Sequence, residues 1–106
     1  MTTLGDREKA FENMFAHDQE LKFKAEARAN KLLGLWAAEK LGVSGADAET
    51  YAKTVVMADF EEAGHEDVFR KVRGDFDAKN VAVTDEELRA KMLEVATIAI
   101  AQIQSE

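Results

Sequence analysis

Three short runs in this chain carry side chains that do chemistry in other proteins. Glu62-Ala63-Gly64-His65 has the E-x-x-H spacing with which di-iron helix bundles hold metal. Such a centre needs a second copy of the motif and a glutamate from each of two further helices. The only other histidine, His17, has Met14 rather than a glutamate three residues before it, and Gly64 breaks the turn that would align Glu62 with His65. No metal site is expected. His17-Asp18 pairs a base with an orienting carboxylate. No serine, threonine or cysteine nucleophile stands in a matching context, so the chain is not expected to be an enzyme or to need a cofactor. Arg70, Lys71 and Arg73 form a basic cluster of the kind that holds a phosphate group. Asp75 and Asp77 follow within four residues and dilute its charge. A solvated face competes with nucleotide binding there. The nucleotide reading would make the chain a small helical sensor domain.

These groups ride on a chain built for helix. It has no proline and is rich in alanine, glutamate, lysine and leucine, all good helix formers. From Leu21 the apolar residues fall at Leu21, Ala25, Ala29, Leu32, Leu33 and Trp36, the stripe of a helix lying on a core. Trp36 belongs to that stripe, which makes it a core residue rather than a ligand platform. Asp6 is a candidate cap, with Glu8 in the first turn. Gly42 is positioned as a left-handed stop after Leu41. Together they predict one long first helix in two unequal parts. Gly34 inside it suits close approach by another helix.

Ser44 with Asp47 opens a second helix whose stripe runs Ala48, Tyr51, Ala52, Val55, Val56, Phe60 and Ala63, ending at Gly64. A short third helix over 66–79 carries Val68, Phe69, Val72 and Phe76, and Val81 and Val83 anchor the connection after it. Thr84 with Glu87 is a full capping box for a fourth helix, with Leu88, Met92, Val95, Ala96, Ala99 and Ile103 on one face and Ile98 and Ile100 on its flanks. The fold expected is all-α: a single small four-helix bundle with largely antiparallel neighbours.

The segment before Leu21 is different. Phe11, Met14 and Phe15 make a short apolar stripe on charged sequence, with His17, Asp18, Gln19 and Glu20 separating it from the main stripe. Residues 1–19 therefore read as a marginal or flexible arm and residues 20–106 as the body. Three large apolar side chains on such an arm suit a docking surface for another protein. Folding back onto the bundle is the competing expectation.

Composition excludes several classes. The formal net charge of −7 argues against nucleic acid as a partner. Residues 1–20 carry five acidic and two basic groups, and residues 21–42 two acidic and five basic. Acid early and base late is also what the dipole of one long helix favours. There is no cysteine, hence neither disulfide nor thiolate ligand. No apolar run approaches the roughly 18 residues of a membrane span. No signal-peptide hydrophobic region leads the chain, so a cytoplasmic location is expected.

The run from Asp6 to Leu41 closely resembles the alphaproteobacterial ATPase inhibitor subunit zeta family. F-A-H-D at Phe15 to Asp18 and N-K-L-L-G-L-W-A-A-E-K at Asn30 to Lys40 carry most of the likeness. Two blocks at a fixed separation are far more specific than one short motif. The resemblance implies a four-helix protein, monomeric when free, that inhibits F-type ATP synthase by docking its N-terminal arm on the soluble catalytic head. Carried onto this chain, Phe11 and Phe15 become apolar anchors beside Met14. Asp6, Arg7, Glu8, Lys9, Glu12, His17 and Asp18 supply polar contacts. Gly5 and Met14 depart from the family's pattern.

Overall fold

Hydrophobic periodicity and capping chemistry together yield four helices. The computed structural model describes residues 10–11, 18–60 and 66–106. Within them lie α1 (Gln19–Lys40), α2 (Gly45–Ala58), α3 (Glu66–Ala78) and α4 (Asp85–Ser105). Ala10 and Phe11 are also helical, and no strand occurs among the described residues. The all-α bundle expected from composition is what forms.

The long first helix is not continuous. Asp18 is extended, at φ −138° and ψ 94°, and its carboxylate accepts the Leu21 backbone N–H at 3.1 Å. Asp18 is thus the N-cap of α1, because a short acidic side chain satisfies an orphan N–H at a helix start better than it serves a helix interior. The other end follows expectation. Gly42 has φ +79° and donates to the Glu39 carbonyl while Val43 donates to Ala38, the paired bonds of a Schellman stop. Asn80 closes α3 in the same way, at φ 58°, with Asn80 N–H on Asp77 and Val81 N–H on Phe76.

Ser44 occupies the cap of α2 without a side-chain hydrogen bond, so the box expected with Asp47 does not close. This helix stops at Ala58 rather than Gly64, and Phe60 leaves its buried face as a result. Ala63 lies outside the described residues. Thr84 and Glu87 make the full reciprocal box that starts α4.

α1 forms its largest interfaces with α2 and α4. Cross-links fix the directions. Along α1, Phe23, Asn30 and Gly34 meet Phe60, Asp59 and Ala52, so α2 runs antiparallel to it. Arg28 binds Gln102 and Glu106 while Lys91 lies over Trp36, so α4 is antiparallel to α1 as well. Glu66 with Arg89 and Arg73 with Asp85 set α3 against α4 in the same sense. The core is the set of stripes expected: Ala25, Ala29 and Leu33 from α1, Phe69, Val72 and Phe76 from α3, and Leu88, Met92 and Ala99 from α4. Trp36 packs edge-on against Phe76 at 5.7 Å. Ile98, on the α4 flank, remains exposed.

Gly34 is where α1 and α2 come closest. A Cβ added there would lie 2.6 Å from the Ala52 Cα, a backbone atom that cannot turn aside. Gly34→Ala is therefore expected to destabilise despite its better helix propensity. Overpacking of about 2 kcal/mol outweighs a gain of about 1 kcal/mol, lowering the melting temperature by about 5 °C. Thr84→Ala, which opens the α4 capping box, is expected to cost about 1 kcal/mol in a denaturant titration.

Candidate functional site

The arm enters the body through Phe11. Its side chain is 0% exposed and belongs to the same apolar cluster as Ala25, Ala29, Val72 and Met92, with Ala10 packed against that cluster. Of the two expectations for the stripe, folding back onto the bundle holds for Phe11, and Met14 and Phe15 lie outside the described residues. The cause is ordinary. An amphipathic segment tethered to an apolar core gains about 2–3 kcal/mol by burying a phenylalanine, and nothing in the Phe11 side chain opposes it. Asp18, the other described member of the expected docking set, is exposed and holds the start of α1. Asp6, Arg7, Glu8, Lys9, Glu12, Met14, Phe15 and His17 lie outside the described residues.

Electrostatics at the arm's root are local. Glu20 pairs with Lys24 along α1 at 3.9 Å with both side chains largely in solvent, a contact that contributes little. Farther along, Arg28 ties α1 to the C-terminal end of α4. Its guanidinium donates to Glu106 and holds that carboxyl below its ordinary value.

A second apolar feature escaped the periodicity argument. Phe23 is 53% exposed, Phe60 57% and Met57 63%. The two rings lie 5.8 Å apart, at one end of the α1–α2 seam. Between them is an open groove of about 310 Å³ lined by Phe23, Ala27, Val56 and Phe60, with Asn30 donating to Asp59 at 2.9 Å on its wall. Phe60 had been expected in the core. The available signal was Phe23, set between Lys22 and Lys24 and two residues off the Leu21 stripe.

The basic cluster is drawn apart. Lys71 pairs with Asp75 at 2.9 Å and lies over the Tyr51 ring, while the Tyr51 hydroxyl donates to the same carboxylate at 2.7 Å. Burial, reinforced by that bond to Asp75, pushes the Tyr51 phenol above its usual range. Arg73 turns the other way, to Asp77, Asp85 and the Val83 carbonyl, and staples α3 to the start of α4. Arg70 is exposed. Two of the three cations expected to hold a phosphate are thus committed to carboxylates on different neighbours. A groove of about 450 Å³ beside Lys71 and Lys53 also contains Thr50 and Thr54, whose hydroxyls donate to carbonyls of their own helix.

Among the described residues no group of three or more His, Asp or Glu side chains could hold a metal ion. Glu62 and His65 lie outside them. No helix among the described residues is long and apolar enough to cross a membrane.

A protein whose structure was solved in solution by NMR is 56% identical to this chain, with a TM-score of 0.72 over 80% of this chain and 96% of that one. No curated protein is significantly similar. The family model of the ATPase inhibitor subunit zeta matches residues 1–102, arm and body together. With that match extending over nearly all of its 106 residues, the chain belongs to the ATPase inhibitor subunit zeta family.

Proposed function

We propose that this protein restrains ATP hydrolysis by an F-type ATP synthase, docking residues 1–19 on the soluble catalytic head while residues 20–106 form the body that carries the arm. The observation that carries this reading is the family match itself, which begins at residue 1 and so includes the arm. Physical support comes from the arm's composition. Phe11, Met14 and Phe15 fall within one turn and a half, and Asp6, Arg7, Glu8, Lys9, Glu12, His17 and Asp18 surround them. A helix this short is marginal alone and gains order when its stripe is covered, which suits a segment that folds onto its target. Phe15 and Phe11 supply the anchors; the charged groups set orientation and rate of encounter. No residue of the body is assigned a catalytic role.

Arm deletion provides the test. A chain lacking residues 1–19 is expected to lose inhibition of ATP hydrolysis by the cognate head at least tenfold. It should also melt lower than the full chain, because Phe11 leaves the core with the arm, at a cost of about 3–5 kcal/mol, and α1 loses its Asp18 cap, at a cost of about 1 kcal/mol. Circular dichroism shows whether the body still folds, and a synthetic peptide of residues 1–19 added alone gives a second measurement. Equal inhibition by the full and shortened chains, with an inert peptide, would overturn the assignment of the arm.

A further inference from the structure

We propose that the furrow along the α1–α2 seam is a docking site for an amphipathic helix of a partner protein, one with a narrow apolar stripe and carboxylates at the end that meets Lys31 and Lys53. Such a partner engages the body, so its presence or absence leaves the role of residues 1–19 untouched.

The shape comes from where small and large side chains fall. The groove between Phe23 and Phe60 continues past Val56 into a second stretch of about 330 Å³, whose lining includes Ala52, Met57, Lys31 and Lys53. Ala27, Ala52 and Val56 are buried or half-buried, while Phe23, Met57 and Phe60 stand in solvent around them. Small residues between large ones on two antiparallel helices leave a trough that takes the ridge of a third helix. On the α1 side Phe23, Ala27 and Lys31 succeed one another a turn apart, so the trough is about 12 Å long. That is a little over two turns, and an occupant matches it with apolar residues at i, i+3 or i+4, and i+7. Of the four large apolar side chains exposed among the described residues, three gather at this seam. Scattered single exposures need no explanation, but a gathered set marks an interaction surface.

Charge decides which helix fits. Lys53 is exposed and pairs with no acidic group among the described residues. Lys31 reaches Glu49 at 3.8 Å with both side chains more than half in solvent, a contact that a better-placed carboxylate displaces at little cost. The opposite end has the other sign. Glu26 and Asp59 line it, and Asp59 accepts from Asn30. A carboxylate on the occupant is thus favoured at the Lys31–Lys53 end and repelled at the Phe23–Phe60 end, which fixes the direction in which the helix lies. A second copy of the chain is a poorer occupant, since each copy has a net charge of −7 and the two repel. An anionic bilayer is opposed by the same charge.

Amide chemical shifts of the full-length chain, titrated with a synthetic peptide of about three helical turns, read this out. The peptide has leucines at i, i+4 and i+7 and two glutamates beside the last leucine; a control peptide has lysines in place of the glutamates. The glutamate peptide is expected to shift amides of residues 23–31 and 49–60 saturably, and the lysine peptide to bind about tenfold more weakly. Lys53→Glu, an exposed change expected to leave the melting temperature unaltered, should narrow or reverse that ratio. Equal binding of the two peptides, an unchanged ratio in Lys53→Glu, shifts spread over the other helices, or no saturable shift would each overturn the docking site. So would shifts of the same amides on raising the chain's own concentration, or on adding phosphatidylglycerol vesicles, with no response to the glutamate peptide.

Discussion

A residue cannot both continue a helix and cap the next one, and Asp18 caps. Its extended backbone and its carboxylate bond to Leu21 N–H make α1 a self-contained element that begins at Gln19. Of the described residues upstream, Ala10 and Phe11 reach the body through its apolar core cluster.

The body holds itself together by two different means. Around Gly34 the helices touch backbone to backbone, close enough that no side chain fits between α1 and α2. At the far side, charged side chains do the joining, with Arg73 reaching Asp77, Asp85 and the Val83 carbonyl, and Arg89 lying 3.9 Å above the Phe69 ring. The guanidinium fork suits such bridging, since one side chain satisfies several acceptors and still stacks on an aromatic face. Neighbouring residues on a helix project about 100° apart, so Lys71 and Arg73 each answer to carboxylates on their own side.

Phe23, Met57 and Phe60 show the opposite situation, apolar side chains left in solvent at the end of the α1–α2 seam. Exposed apolar groups are common, but contiguous ones are fewer. Here their exposure follows from α2 ending at Ala58, which turns Phe60 out of the stripe and onto the Phe23 ring.

Much was legible in the sequence because it is local. Thr84 with Glu87, Gly42 after Leu41, and the 3.6-residue spacing of Val68, Phe69, Val72 and Phe76 each report on a turn or two of chain, and local hydrogen bonding and amphipathicity decide those. The two blocks around Phe15 and Trp36 likewise carried the family. What only tertiary structure decided was partnership. Whether Phe11 faces water or a core depends on the volume left between helices that are distant in sequence, and no periodicity encodes that volume. The break at Asp18 was within reach of local reasoning, since an aspartate three residues before Leu21 is a good cap, but the helical propensity on both sides concealed it. Composition, propensity and capping determined that four helices form. The fit between them determined that Phe11 sits inside the chain's own core.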